Sequence, residues 1–443
     1  MASQIDADLS LDSEIIDPGE KVVFRKVALR LIPFLFLLYV VNILDRVNVG
    51  FARLSMLGDL KLSEQVFGLG AGIFYFGYML FEVPSNLILQ RIGARRWIGR
   101  IMVSWGLVSI CTLFVRGEWT FYLLRILLGV AEAGFFPGII LYLSYWFPAR
   151  ERARAVALFM IGSPIAGVIG GPISGALLQY TNGLGGLAGW QWLFLVEGIP
   201  AVILGVVTWF YLTDRPADAR WLSPKEREWL STRLAREEGL REKQHGLSRL
   251  RALLNPRVCL LILLYFTVAV GTNGAGFFFP KIIQGLFQGW DTTHIGFVST
   301  IPHLAAVVAM ILVGVHSDRH GERRWHVALS AFVAATGWAM SAYFRSPWLA
   351  LASLAVAQLG MMSMMGPYWS MATSFLSGTA AAGGIALINT VANFGGFLSP
   401  AVMGRLKETT GTFATGEIAL AATMAVGGLL ALAVRHDPAA DRA

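Results

Sequence analysis

Twelve apolar runs of about twenty residues or more recur along the chain, and they constrain its fold more than any other feature. A helix of about 20 residues crosses the roughly 30 Å hydrocarbon core of a bilayer, so each run predicts a membrane-spanning helix. Charged residues make up only 14% of the chain, against about 25% in soluble domains. The sequence therefore predicts an all-α polytopic protein embedded in the lipid bilayer. The predicted spans are 28–50, 64–89, 97–115, 119–143, 153–179, 191–212, 257–279, 293–315, 325–344, 348–372, 379–402 and 414–434.

The charges between these spans predict the orientation. Most of the 36 Lys and Arg residues fall in segments that face the cytoplasm if both termini do, which is the positive-inside pattern. This distribution accounts for the net charge of +8 without an anionic macromolecule, so we expect no nucleic-acid partner. Residues 1–20 are acidic and lack the basic and apolar regions of a cleavable signal peptide. We therefore expect a multi-pass protein with cytoplasmic termini.

A long polar stretch divides the predicted spans six and six. Within it, Ser223-Pro224-Lys225-Glu226 predicts a helix start, because the serine can cap exposed amides and the glutamate can reciprocate. We expect a short amphipathic helix there, near the membrane surface. The predicted organisation is a cytoplasmic tail 1–27, a first half 28–212, a linker 213–256, a second half 257–434 and a cytoplasmic tail 435–443.

Similar polar turns follow the second and eighth spans, which indicates an internal repeat. Two six-helix halves related by an axis along the membrane normal form a transporter architecture, with the solute site near the midplane. Glycine permits the positive φ of a tight turn, and the arginines anchor the cytoplasmic face. The first turn comprises residues 86–96 and the second turn residues 314–324. Asn86 and Gln90 of the first turn stand where the second turn has Gly314 and Asp318, so we expect a weaker inner gate at the first turn. The predicted gating residues are Arg91, Gly93, Asp318, Arg319 and Gly321.

The pattern Gly-xxx-Asp-Arg-x-Gly-x-Arg-Arg at 314–324 resembles the loop motif of the major facilitator superfamily. Other stretches resemble its anion:cation symporter family, which includes tartrate, phthalate and sugar-acid permeases. They are Asp45–Ala52, Phe81–Asn86, Arg125–Gly138, Trp146–Arg154, and the run from Gly378 to Phe397. The resemblance covers about residues 25–435. It implies a proton-coupled symporter of the inner (cytoplasmic) membrane that takes up a small organic anion.

Four ionisable residues inside apolar spans are the main candidate site. Such groups are costly in the hydrocarbon and are functional by default. Arg125 and Glu132 are two helical turns apart and share one face of the fourth span. Asp45 and Arg46 are about 100° apart on the first span, so we expect both to border the same cavity. We assign substrate binding to Arg46 and Arg125, because a guanidinium forks onto a carboxylate. We assign proton coupling to Asp45 and Glu132, as the resemblance also implies. The alternative is a pair of internal salt bridges.

Two further residues are assigned to the substrate through the resemblance. Tyr78 matches a tyrosine of these symporters, and Asn393 matches a substrate-side asparagine. Relatives commonly carry Tyr two residues before the Asp, where this chain has Ile43, so the resemblance does not fix a particular sugar acid. Neutral candidates in the second half, for which interhelical hydrogen bonding is the main alternative, are Asn273, Gln358, Tyr368, Trp369 and Asn389.

Other polar groups are assigned structural roles. His303 is a possible proton-path residue, but a structural role is favoured; Glu82 and Glu197 are expected near the helix ends, in packing or gating. The histidines show no metal-ligand spacing and no hydrolytic constellation is present, so we expect no metal, no cofactor besides the coupling proton, and no enzyme activity.

Two alternatives to uptake remain open at this stage. An exporter or exchanger would share the fold, and the glycine-rich run 167–175 resembles a motif of drug-exporting antiporters. A non-transporting sensor would bind the anion without moving it. The expected partners are a small organic anion (a hydroxy-dicarboxylate, sugar acid or aromatic carboxylate), protons and lipid, with the protein acting as a monomer.

Overall fold

A computed structural model describes the backbone of residues 18–243, 256–375 and 379–434, and these ranges are almost entirely helical. Most of the predicted first tail, residues 244–255 of the linker and all of the predicted second tail lie outside the described residues. The helices are α1 (Pro18–Leu60), α2 (Glu64–Ile92), α3 (Ala94–Cys111), α4 (Glu118–Glu132), α5 (Phe135–Ser144), α6 (Ala149–Met160), α7 (Gly162–Tyr180), α8 (Gly189–Tyr211), α9 (Pro224–Lys243), α10 (Pro256–Leu286), α11 (Thr292–His320), α12 (Arg324–Tyr343), α13 (Pro347–Ser363), α14 (Met365–Phe375), α15 (Thr379–Thr410) and α16 (Ala414–Ala433).

The predicted all-α membrane fold is confirmed. Within the described ranges, ten helical segments are long and apolar enough to cross a membrane. The other two predicted spans, 325–344 and 379–402, are helical as α12 and α15. The buried residues of α12 include the small residues Ala331, Ala334 and Gly337, and a side chain at Gly337 would meet the backbone of α13 at Ala357.

Three predicted spans are interrupted rather than continuous. The fourth consists of α4 and α5, the fifth of α6 and α7, and the tenth of α13 and α14. The first of these breaks follows Glu132 directly, and Gly134 adopts a φ of +85° that favours glycine. A broken helix beside a buried charge is a recurring feature of transporter sites.

Helix packing divides the bundle into two halves that meet along three helix pairs. In the first half α3 packs on α8, and α1 packs on α7 and α8; in the second, α12 packs on α13 and α16. The pairs that join the halves are α2 with α15, α7 with α11, and α1 with α10. The boundaries of the halves and tails remain a prediction from the sequence.

Glycines bring these helices into backbone contact at the end of the bundle where α1 ends and α2 begins. The charge pattern assigns this end to the outside, and we call it the outer end. A side chain at Gly68 would meet α15 at Gly404, and one at Gly171 would meet the Gly296 carbonyl of α11. Small residues permit such close approach between membrane helices. The halves are therefore closed against each other at the outer end.

The linker helix α9 begins at the predicted cap. The Ser223 backbone amide donates to Glu226 Oε2 at 2.6 Å, and the Glu226 amide donates to Ser223 Oγ at 3.3 Å. Glu226 also pairs with Lys26 of α1 at 3.0 Å, and Leu230 is fully buried. These donors, the Ser223 amide first, hold the pKa of Glu226 below its usual range. The linker helix is thus docked on the start of α1.

Candidate functional site

The predicted charges of α1 and α4 meet across the two helices. Arg46 forms an ion pair with Glu132, which is completely buried, while 20% of the Arg46 side chain remains exposed. Asn42, one turn earlier on α1, donates to the same Glu132 oxygen at 2.7 Å. The second oxygen, Oε2, is buried and receives no hydrogen bond from the described residues. Glu132 therefore holds Arg46 through one oxygen only.

Arg125 lies on α4 without an acidic partner. It is 3% exposed, and no carboxylate oxygen of the described residues lies within 4.0 Å of it. Its Nε donates to the Gly70 carbonyl at 3.3 Å, and its guanidinium lies 5.0 Å from the ring centroid of Phe74 and 5.9 Å from that of Phe277. Burial of an unpaired cation is costly, so an anion bound here would be stabilised strongly.

Asp45 points away from Arg46 and into the first half. It is 1% exposed, accepts a hydrogen bond from Ser109 of α3, and accepts a second from Asn48 Nδ2 at 3.2 Å. We predicted that Asp45 and Arg46 would line the same cavity, but the 100° turn between them places Asp45 behind the site. Arg125 acts on Asp45 through charge, at more than ion-pair distance.

Two tyrosines of α2 lie beside the charges. Tyr78, the predicted substrate residue, is 4% exposed, and the Arg46 guanidinium lies 5.1 Å from its ring centroid. Tyr75, one turn before it, donates to Asn273 of α10 across the interface of the two halves. The sequence did not single out Tyr75, although its spacing from Tyr78 and Glu82 places all three on one side of α2.

Asn393, the predicted substrate residue of the second half, donates to Glu82 Oε2 at 3.0 Å. This hydrogen bond joins α15 to α2 and so links the two halves. Glu82 is 8% exposed and was assigned to packing or gating from the sequence. A ligand that takes the same N–H of the Asn393 amide would displace Glu82 from it.

The predicted gating turns have the expected backbone but contact their own half. Gly93 and Gly321 adopt φ of +99° and +64°. Asp318 pairs with Arg323 of the same turn at 2.6 Å, and 69% of its side chain is exposed. At the first turn, Asp214 from the start of the linker accepts a hydrogen bond from the Arg95 amide at 2.8 Å and so places an acid beside Gly93. For Arg91 and Arg319, gating remains a prediction.

An outer contact that the sequence analysis missed surrounds Arg53. This residue is 1% exposed, pairs with Glu64 of α2, and lies 4.4 Å from the ring centroid of Phe278 and 5.1 Å from that of Phe413. Those two rings belong to the second half, so Arg53 contributes to the closed outer end. The sequence analysis missed Arg53 because the predicted span ends at residue 50, whereas the observed α1 continues to Leu60.

His303 of α11 packs against the first half. Its ring lies against Gly167 of α7, and its Nδ1 contacts the Ser299 carbonyl at 2.9 Å. It borders a small cavity of about 30 Å³ between α1, α7, α10 and α11. Tyr368 donates to the Leu261 carbonyl at 3.0 Å, a contact within the second half. Among the described residues, no group of three or more His, Cys, Asp or Glu side chains is arranged to hold a metal ion.

Comparison with known proteins shows the family of this chain. The family model of the Major Facilitator Superfamily matches residues 35–400. The chain belongs to the major facilitator superfamily. A relative from Agrobacterium vitis, named "Putative tartrate transporter", is 49% identical over 97% of this chain and 95% of its own length. Membership in this superfamily makes the chain a multi-pass membrane transporter rather than an enzyme.

Two further comparisons bear on function and on fold. A "Quinolone resistance transporter" of Acinetobacter baumannii is 41% identical over 93% of this chain and 94% of its own length. A crystal structure of a D-xylose-proton symporter aligns with a TM-score of 0.74 over 94% of this chain and 99% of that chain, at 14% identity. The second likeness concerns the fold alone.

Proposed function

We propose that this transporter carries out proton-coupled uptake of a small organic anion by alternating access. The observation that carries the proposal is the contrast between the two arginines of the first half. Arg46 is held by Glu132, whereas Arg125 has no carboxylate within 4.0 Å among the described residues. One cation is thus free for an anion, and the other becomes free when Glu132 is neutralised.

The coupling follows from competition for Arg46. A substrate carboxylate that binds Arg125 can also accept hydrogen bonds from Arg46, provided that Glu132 gives up its ion pair. A proton on Glu132 neutralises that carboxylate and abolishes its ion pair with the Arg46 guanidinium. Proton binding and anion binding therefore favour each other. Asp45 is close enough to Arg125 to respond in the same way through charge.

Two hydrogen bonds between the halves lie near the site, and they explain how substrate binding changes the conformation. Tyr75 with Asn273, and Glu82 with Asn393, connect α2 to the second half. A substrate hydroxyl can replace Tyr75 as the donor to Asn273 Oδ1, and a second substrate carboxylate can replace Glu82 as the acceptor from Asn393 Nδ2. Opening of the outer end also requires that Arg53 separates from Phe278 and Phe413. Substrate and gate thus act on the same helices.

The polar groups favour a hydroxylated acid. Asn273 and Asn393 offer amide donors and acceptors, and the relatives named for tartrate support a hydroxy-dicarboxylate. A sugar acid or an aromatic carboxylate would use the same two arginines. We further propose a monomer in the inner membrane with both termini in the cytoplasm, as the charge pattern predicts.

A second candidate function is export or exchange of an organic solute. The relative named for quinolone resistance supports it. In that case, replacement of Asp45 and Glu132 by their amides would leave transport insensitive to a pH gradient but otherwise active. Under the symport proposal, the same replacements abolish substrate-driven proton movement.

The test uses purified protein in liposomes that contain a trapped pH dye, with the membrane potential clamped. Organic acids of the three classes are added outside at pH 6, and acid leak is subtracted with protein-free vesicles. We expect one class to acidify the lumen, and Asp45→Asn and Glu132→Gln each to abolish the signal. Exchange of labelled acid without any proton movement would contradict symport and support the exchanger.

A further inference from the structure

Behind the proposed site lies a further buried carboxyl, which the proposed coupling of protons to the anion does not use. Glu197 of α8 is 6% exposed, and its Oε1 accepts a hydrogen bond from Ser174 of α7 at 2.8 Å. The sequence analysis placed Glu197 near a helix end, in packing or gating. The structure places it eight residues inside α8, which begins at Gly189.

Asn48 lies between this carboxyl and Asp45. It is fully buried, and its Nδ2 donates to Asp45 Oδ1 at 3.2 Å. Asn48 and Asp45 are also the α1 neighbours that act on Glu197, the first through its amide and the second through its charge. Asp45, Asn48 and Glu197 therefore form one buried polar chain from α1 to α8.

Three oxygens of this buried polar chain receive no hydrogen bond from the described residues. Asp45 Oδ2, Asn48 Oδ1 and Glu197 Oε2 are all buried and receive no hydrogen bond from the described part of the protein. Buried acceptors are normally satisfied, so three unsatisfied oxygens on these residues require an explanation. A protonated carboxyl supplies an O–H donor, which an amide oxygen such as that of Asn48 can accept.

The charges point to the same protonation state. Within the described ranges, no Lys, Arg or His nitrogen lies within 4.0 Å of either Asp45 or Glu197. Two neighbouring carboxylates that are buried without a cation disfavour each other's ionisation, and they titrate as a coupled pair. Asp45 is the titratable group whose charge acts on Glu197, while Arg125 and Glu132 act on Asp45.

Glu197 lies nearer the outer end than Asp45 does. At about 1.5 Å per residue, Glu197 is roughly 12 Å along α8 from its outer terminus. Asp45 is roughly 22 Å along α1 from Leu60 by the same measure. The polar chain therefore extends from the proton-coupling residue of the site toward the side from which protons would enter.

We propose that Glu197 is a further proton-binding carboxyl beside Asp45 and Glu132, linked to Asp45 through Asn48, and that it adds one proton to each transport cycle. The step is the binding of one proton to a carboxylate oxygen, which gives a neutral carboxylic acid, and its release when the conformation changes. This inference rests on the proposed symport and deepens it by fixing an additional coupling site.

The experiment measures the proton:substrate ratio in proteoliposomes. For the acid identified above, substrate and pH gradients are fixed, and the membrane potential at which net flux stops is found for the wild type and for Glu197→Gln. Glu417→Gln is the matched control, because Glu417 is 4% exposed and also has an unbonded buried oxygen, but lies in α16 of the second half. We expect Glu197→Gln to couple one proton fewer, and the control to match the wild type.

The outcomes separate the two proposals. A wild type that moves no protons overturns the symport itself. A coupled wild type whose ratio is unchanged by Glu197→Gln overturns the role of Glu197. If that variant does not transport, the infrared C=O band of protonated carboxylic acids decides, measured on folded, monodisperse protein. Loss of one such band in Glu197→Gln, with its return in Glu197→Asp, supports the proposal; an unchanged spectrum overturns it.

Discussion

The two arginines of the first half should respond differently to the same substitution. Arg125→Gln removes a buried cation that has no ion-pair partner within 4.0 Å among the described residues, so no carboxylate is left without its counter-ion. Arg46→Gln leaves Glu132, which is 0% exposed, with only the Asn42 amide. Removal of one partner from a buried ion pair costs about 3–5 kcal/mol. We therefore expect Arg46→Gln to lower thermal stability and Arg125→Gln to preserve or raise it.

Both substitutions should weaken substrate binding. A hydrogen bond to a charged group contributes about 1.5–3 kcal/mol, and about 1.4 kcal/mol corresponds to a tenfold change in affinity. Loss of either arginine should thus raise the dissociation constant roughly 10- to 100-fold. Calorimetric titration with the transported acid, and melting curves of detergent-solubilised protein, give the two quantities. Equal loss of stability in both variants, or full affinity in Arg125→Gln, would refute the distinction between the arginines.

Three other perturbations follow from the structure. Glu132→Gln should weaken the pH dependence of substrate affinity and leave only the contribution of the other proton-coupling carboxyls, since the amide imitates the protonated acid; binding titrations at several pH values test this. Gly171→Val should prevent closure of the outer end, because the valine side chain would meet the Gly296 carbonyl. To test this, a cysteine is engineered near the site in a protein that lacks the native cysteines. An impermeant thiol reagent should label that cysteine faster in Gly171→Val. Lys26→Ala should loosen α9 by about 0.2–1 kcal/mol. Because the pKa of Glu226 is lowered in the folded state, docking is strongest at neutral pH and weakens as the pH falls through that pKa, which spin-label distances between α1 and α9 can follow.

The sequence predicted the fold well because the bilayer imposes simple rules. A span must be apolar and about 20 residues long, and basic loops stay inside. Breaks inside spans were not predicted, because apolar residues continue across Gly134 and Met364 and only the backbone changes direction there.

The candidate site was predicted in part. Charged residues in apolar sequence are conspicuous, and their helical spacing placed Arg125 and Glu132 on one face. The sequence did not show which acid pairs with which base, because that depends on how α1 and α4 are rotated against each other. It also missed neutral partners such as Asn42 and Tyr75, which resemble ordinary interhelical polar residues. The roles assigned to the site residues remain predictions.

The length of α1 explains why the sequence analysis did not identify Arg53. Arg53 lies after the apolar stretch and was counted with the loop, yet it is buried because the helix continues and phenylalanines of the second half cover it. An arginine stem and guanidinium pack well against aromatic rings. A basic residue just past a predicted span therefore does not have to face water.

Proton uptake on substrate binding tests the central claim most directly. Purified protein is titrated with the transported acid, as its anion, in buffers with different heats of ionisation, and the number of protons exchanged is obtained from the observed heats. The competition for Arg46 predicts net proton uptake on binding, and a smaller uptake in Glu132→Gln, which lacks the proton of Glu132. Binding without proton uptake in the wild type, or uptake that persists unchanged in Glu132→Gln, would contradict the account.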